Sequence, residues 1–238
     1  MILTSSIYTT LDLSAERGEK QLAVLIDPDK FLESEAECFL SGLPGDTTHI
    51  FVGGSTVAPD KTQKSVRAIK LFSDLPVVLF PGDHTQITEQ ADALLFLSLI
   101  SGRNPEYLIE QQVKSVEKLR NSTLEIIPTG YILIDGGNQC AVHRISQTLP
   151  IPQNQVDLII NTALAGQFSG KKLIYLEAGS GAQIAVSEEI ISAVKDAINI
   201  PLIVGGGIRT QQRLMKSYDA GADMVVIGTA FEQYGLSI

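Results

Sequence analysis

Eight short apolar runs recur along the 238 residues, at positions 22–27, 49–53, 77–81, 93–99, 125–135, 173–177, 201–205 and 224–228, with helix-forming segments between them. All are rich in Val, Ile and Leu, and none alternates cleanly between apolar and polar residues. Strands covered on both faces have this character, as parallel strands in α/β proteins do. Eight strands in strict alternation with helices favour a closed (β/α)8 barrel of the TIM type over an open doubly wound sheet, although strand count alone does not decide closure. The length is close to the roughly 250 residues of a one-domain barrel. No linker, charge run or low-complexity segment interrupts the pattern, so residues 1–238 read as one barrel domain. The stretch 136–156, with Gly136, Gly137, Pro150 and Pro152, reads as an excursion above it.

Local signals place the helices. Leu32, Ala36, Phe39, Leu40 and Leu43 share one helical face after the first strand. Asn104 can cap a helix with Pro105 at its first position, and Glu110 stands four residues before Lys114. Ser187 and Thr210 can cap the helices that precede strands seven and eight. Residues 84–90 are too few for a full helix, so one outer helix is expected to be reduced.

Composition narrows the function classes. With 44% hydrophobic and 19% charged residues the chain reads as a soluble globular protein. A net charge of −9 argues against a broad nucleic-acid or anionic-membrane surface, yet it permits a phosphate pocket made of backbone amides. The apolar stretch 93–100 is too short to span a bilayer, and the first residues lack the basic and apolar regions of a signal peptide. Cys38 and Cys140 have no metal-binding spacing and read as reduced thiols, which points to the cytoplasm.

Active sites of such barrels lie at the C-terminal strand ends. Here those ends collect glycines and polar residues. Gly206 and Gly207 after strand seven, with Gly228 and Thr229 after strand eight, expose backbone N–H groups and suit a phosphate, although tight turns alone would also use glycine. Asp27 ends strand one opposite Ser55 after strand two. A carboxylate and a hydroxyl suit Mg²⁺, which keeps most of its oxygens as water and substrate phosphate. A capping role for Asp27 is the bland alternative, but Asp29 can take that role. Glu177 closes an apolar strand beside Tyr175 and is a candidate base for a substrate hydroxyl, with an ion pair to Arg209 as its structural alternative.

Seven segments, taken together, carry a resemblance. They are Leu25-Ile-Asp-Pro-Asp-Lys30, Val52-Gly-Gly-Ser55, Ser98-Leu-Ile-Ser-Gly-Arg-Asn-Pro105, Pro128-Thr-Gly-Tyr131, Tyr175-Leu-Glu-Ala-Gly-Ser-Gly181, Val204-Gly-Gly-Gly-Ile-Arg209 and Ile227-Gly-Thr229. In that order the chain resembles the geranylgeranylglyceryl phosphate synthases and their bacterial relatives. The resemblance implies a Mg²⁺-dependent prenyltransferase that joins sn-glycerol 1-phosphate to a long allylic diphosphate through an ether bond. It assigns Asp27 and Ser55 to the metal, and Tyr175, Leu176, Glu177, Ala178, Gly179, Ser180, Gly181, Gly206, Gly207, Gly228 and Thr229 to glycerol phosphate. Glu177 and Tyr175 carry the catalytic assignment, with Glu177 accepting the proton of the attacking hydroxyl. Arg103 and Asn104 are secondary candidates for the diphosphate. Strands four and five and residues 158–164 are candidates for the prenyl groove. A homo-oligomer is implied, with a hexamer among the expected assemblies, and a greasy donor implies peripheral membrane contact. One departure stands out: some relatives carry a lysine where this chain has Leu25.

Two other readings compete. A phosphosugar isomerase would use Asp27 and Asp135 as an acid–base pair but would prefer a second phosphate loop in the first half, which Pro81-Gly82-Asp83-His84 does not supply. A non-catalytic binder of a phosphate metabolite would keep the phosphate loops and need no base.

Overall fold

The computed structural model describes residues 6–228. The apolar runs form eight parallel strands: β1 Gln21–Ile26, β2 Thr47–Val52, β3 Val77–Leu79, β4 Ala93–Leu99, β5 Glu125–Leu133, β6 Leu173–Glu177, β7 Leu202–Gly205 and β8 Met224–Ile227. They close in sequence order into a barrel, with β1 pairing β8 from Gln21↔Met224 to Val24↔Ile227. The fold is a TIM barrel. Alternate side chains part to two cores. Ala23, Phe51, Val78, Leu95, Ile127 and Ile203 fill the interior, whereas Leu22, Val24, Ile50, Leu94, Ile132 and Leu176 pack outward against the helices. This double burial explains why the strands show no polar face. Each buried Leu or Ile contributes about 1.5–3 kcal/mol.

The helices are α1 Ile7–Glu16, α2 Ala36–Ser41, α3 Lys61–Phe72, α4 Gln111–Leu119, α5 Ala141–Ser146, α6 Val156–Phe168, α7 Glu188–Ala197 and α8 Gln211–Asp219. Ser187 and Thr210 cap α7 and α8 as the sequence suggests, accepting from Ile190 N at 3.3 Å and Arg213 N at 3.2 Å. Asn104 also accepts from Glu106 N at 3.1 Å, but the element it starts is a π-helical turn, Glu106–Glu110, leading into α4. The wider turn shifts the register, so Lys114 pairs with Glu106 at 2.6 Å and not with Glu110. After β1 the expected helix is shortened to a 3-10 turn and the six residues of α2, which leaves Leu32 56% exposed.

Two features shape the barrel mouth and base. β3 has three residues and meets β4 only at Val78↔Ala93 and Leu79↔Leu94, whereas β4 pairs with β5 over its whole length. A 3-10 turn, His84–Gln86, stands where the outer helix after β3 would be, so the expected reduced helix is present. At the opposite end α1 covers the base, with Leu11 buried in the interior core. The Glu125 carboxylate receives Ser6 Oγ at 2.5 Å, Ile7 N at 2.6 Å and Tyr8 N at 2.9 Å, so a residue of β5 caps α1 from across the fold.

Candidate active site

A cavity of about 380 Å³ opens at the C-terminal strand ends. Asp27, Ser55, Tyr175, Glu177, Gly179, Ser180, Gly181, Gly206, Gly207 and Gly228 all line it, so residues from five strand ends meet in one space. Thr229 lies outside the described residues, as does any helix following β8. Leu176 and Ala178 are buried in the outer core, facing away from the cavity, because they alternate with Tyr175 and Glu177.

Glu177 ends β6 with its carboxyl inside the barrel, 7% exposed. Gly179 N donates to its Oε1 at 2.6 Å. Burial pushes its pKa up to about 7, against the smaller opposing influence of the Gly179 N–H and the Tyr175 hydroxyl. The ion pair with Arg209 does not form; the Arg209 guanidinium instead donates to Gly181 O at 3.1 Å and Ala182 O at 3.0 Å, tying the β6 loop to the β7 loop. The Tyr175 ring stacks on Phe80 at 5.1 Å and tilts against Tyr131 at 5.4 Å. Its buried hydroxyl adjoins Glu177, yet no well-aligned hydrogen bond satisfies it. Burial, and then the Glu177 charge, raise its pKa well above the usual phenol value.

The glycines are required by contact as well as by conformation. Gly206 has φ +83°, and a Cβ there would lie 2.4 Å from Glu177 Oε1 and 2.6 Å from Gly179 N. Backbone groups of the β6 and β7 loops therefore come against the carboxyl without an intervening side chain. Such exposed amides can bind a phosphate.

At the other side of the mouth, Asp27 accepts from Asp29 N at 3.1 Å and lies 3.2 Å from Lys30 Nζ. The expectation that Asp29 caps a helix and leaves Asp27 without a local role is therefore corrected. No helix follows directly, and the Asp29 carboxylate receives Ala58 N at 3.1 Å. Among the described residues no three His, Cys, Asp or Glu side chains cluster as a metal site. Asp27 and Ser55 nevertheless share the cavity wall, and Gly54 is seated on the carboxylate, its Cβ position 3.2 Å from Asp27 Oδ1. One carboxylate with one hydroxyl fits a Mg²⁺ that takes its remaining oxygens from water and phosphate.

Between these two ends the cavity leaves the barrel sideways. Because β3 is short, the upper half of β4 has no partner on that side, and a slot runs out past Ile87, Leu94, Phe96, Gln111 and Ser115. Strands four and five contribute Leu97, Leu99 and Tyr131 to the cavity wall, whereas residues 158–164 sit on α6 and are not on it. Arg103 and Asn104 are likewise off it: Arg103 Nη1 donates to Gly102 O at 2.7 Å, and Asn104 Nδ2 to Ser146 O at 2.8 Å. Asp135 is exposed and holds Gly137 N at 2.9 Å, so it makes no pair with Asp27. Phe80, which lines the cavity and stacks on Tyr175, was not legible as a site residue. An apolar residue at a strand end reads as core.

The profile of the PcrB family matches residues 15–236. The chain belongs to the PcrB family. The geranylgeranylglyceryl phosphate synthase of Zunongwangia profunda is 63% identical over 215 residues, covering 90% of this chain and 92% of that protein. The synthase of the same name from Thermococcus kodakarensis is 41% identical over 239 residues, covering 99% and 93%. Among solved structures, (S)-3-O-geranylgeranylglyceryl phosphate synthase from Thermoplasma acidophilum, in complex with its substrate sn-glycerol-1-phosphate, superposes with a TM-score of 0.88 at 35% identity, over 97% of this chain and 93% of that one. The PcrB-family match thus spans the strand ends from β1 to β8 that line the cavity.

Proposed function

We propose that this PcrB-family chain is a prenyltransferase that joins sn-glycerol 1-phosphate to a long-chain allylic diphosphate, geranylgeranyl diphosphate, and releases diphosphate. The observation that carries the reading is a buried carboxyl poised near pH 7 between a glycine-lined amide cradle and an apolar slot. The cradle holds the phosphate of the acceptor. Glu177 then faces the acceptor hydroxyl and takes its proton, while the oxygen forms the new bond to the allylic carbon. The carbon–diphosphate bond breaks with its electron pair leaving on the diphosphate. Asp27 and Ser55 would hold Mg²⁺, whose charge, when bound, neutralises the departing diphosphate. The slot past Ile87 and Phe96 orients the tail, so that acceptor and donor meet without the entropic cost of a chance encounter.

The same reading includes a homo-oligomer. Its support is α4 with the π turn before it, where Ile109, Val113 and Val116 are 55%, 57% and 51% exposed at helical spacing. It also includes a cytoplasmic enzyme that meets its greasy donor at the membrane surface; Cys38 and Cys140 are unpaired, and no helix among the described residues is long and apolar enough to cross a membrane.

The test is incubation with sn-glycerol 1-phosphate, Mg²⁺ and prenyl diphosphates of graded length, with products resolved by mass spectrometry. An ether-linked prenylglyceryl phosphate that needs Mg²⁺ is the expected result. Absence of product with every donor, from folded protein that still binds glycerol phosphate, would favour a non-catalytic metabolite binder.

A further inference from the structure

Gln86 lies in the 3-10 turn that replaces the third outer helix, and it is 3% exposed. Its side-chain amide reaches two loops outside its own turn. Oε1 accepts from Gly54 N at 3.3 Å and from Gly82 N at 3.2 Å, and Nε2 donates to Gly54 O at 2.8 Å. One side chain thereby ties the loop after β2 to the loop after β3. Those loops meet at backbone level: a Cβ on Gly82 would lie 2.4 Å from Gly54 O and 2.7 Å from Ser55 O. Gly54 rests in turn on Asp27, with its Cβ position 3.2 Å from Asp27 Oδ1. Contact is therefore continuous from Gln86 through Gly54 to the Asp27 carboxylate, with Ser55 the next residue of the same loop.

We propose that Gln86 is a positioning residue for the diphosphate end of the site, fixing Ser55 relative to Asp27 so that the pair can accept a hydrated Mg²⁺ with its diphosphate. The inference rests on the transferase reading above. Filling this buried position would need only an apolar side chain. Meeting three backbone groups on two loops needs an amide of glutamine's length, because each buried polar group left unmet is costly. Mg²⁺ makes such fixation matter, since it demands near-ideal octahedral geometry with oxygens at about 2.0–2.1 Å. The glycerol-phosphate cradle lies on the β6, β7 and β8 ends and does not touch this clamp.

Calorimetric titration of wild-type, Gln86→Met and Gln86→Asn proteins with inorganic pyrophosphate plus Mg²⁺, and separately with sn-glycerol 1-phosphate, tests the assignment. Gln86→Met, close in size but without the amide, should weaken the Mg²⁺–pyrophosphate complex at least tenfold and leave glycerol phosphate within twofold. Gln86→Asn, one methylene short of spanning both loops, should fall between, and it serves as the main test should the Met variant not fold. Unchanged pyrophosphate binding overturns the proposal, as does an equal loss of both ligands, which would mark a merely structural role. Wild-type protein that binds neither ligand overturns the transferase reading itself, and the clamp with it, before any variant is compared.

Discussion

Glu177 sits where water solvates its charge poorly, and that single fact sets its chemistry and its cost. Desolvation lifts its pKa from an ordinary 4.5 to about 7, close to working pH, where a base has both the correct ionisation and useful proton affinity. As a base it must be ionised, so kcat/KM should rise about tenfold per pH unit below 7 and flatten above it. Because the folded pKa is the raised one, stability runs the other way: it declines as pH rises from about 4.5 to 7 and then levels. Glu177→Gln should therefore lose activity by about 10²–10⁴-fold, yet be more stable than wild type at pH 8, by about 3 kcal/mol, with the gain vanishing near pH 4. Activity against pH, together with melting curves at pH 4 and 8, decides it; a Gln variant that stays active removes the assigned base. Much of this was legible in the chain, because an acid at the end of an otherwise apolar barrel strand has few other reasons to be there. The geometric need for Gly206 was legible only as a preference. That its missing side chain is what lets the β6 amides and the carboxyl meet required the three-dimensional contacts.

Elements set by local chemistry were readable, and those set by tertiary contacts were not. The caps at Ser187 and Thr210 act within three residues, so sequence sufficed to place them. α1 has a local cap, Ser6 Oγ accepting from Thr9 N at 3.2 Å, but the Glu125 carboxylate that also meets Ile7 N and Tyr8 N lies 119 residues from Ser6, and no local pattern announces that partner. The π turn after Asn104 was equally hidden, although its start was readable. The brevity of β3 has the largest consequence. By ending at Leu79 it leaves β4 without a partner on that side above Leu94 and opens the slot that a full strand and helix would seal. If the tail of the donor runs there, bulk on its rim should shorten the donor that fits. Ile87→Trp, at a partly exposed position, is expected to cut the rate with geranylgeranyl diphosphate more than tenfold while sparing a donor shorter by one isoprene unit, and to shift the melting temperature by only a few degrees. Equal loss with both donors, in a folded variant, would place the tail elsewhere.

The whole molecule carries a surface that a lone barrel does not explain. An outer helix normally turns its apolar stripe to the sheet and its polar residues to water. Here the order is partly inverted: Gln112 and Ser115 are buried against the barrel, and Ile109, Val113 and Val116 face out. The inward polar residues have a reason. Gln112 Nε2 donates to Leu97 O at 2.5 Å and also meets Ser98 Oγ, groups on the part of β4 that the short β3 leaves exposed, while Ser115 borders the slot. The outward apolar stripe has no such reason within one chain. Rows of exposed branched side chains mark association surfaces, and two-fold pairing of one patch with itself is the commonest solution. Val113→Asp puts a charge at the centre of that stripe without touching the core. Light scattering after size exclusion should give an oligomer for wild type and a lower mass for the variant, and circular dichroism should be unchanged because Val113 is 57% exposed. Burial of Asp on association would cost several kcal/mol, enough to dissociate an interface of ordinary size at micromolar concentration. An oligomer of unchanged mass would mean that copies meet through another face, and a monomeric wild type would mean that the stripe has a different partner.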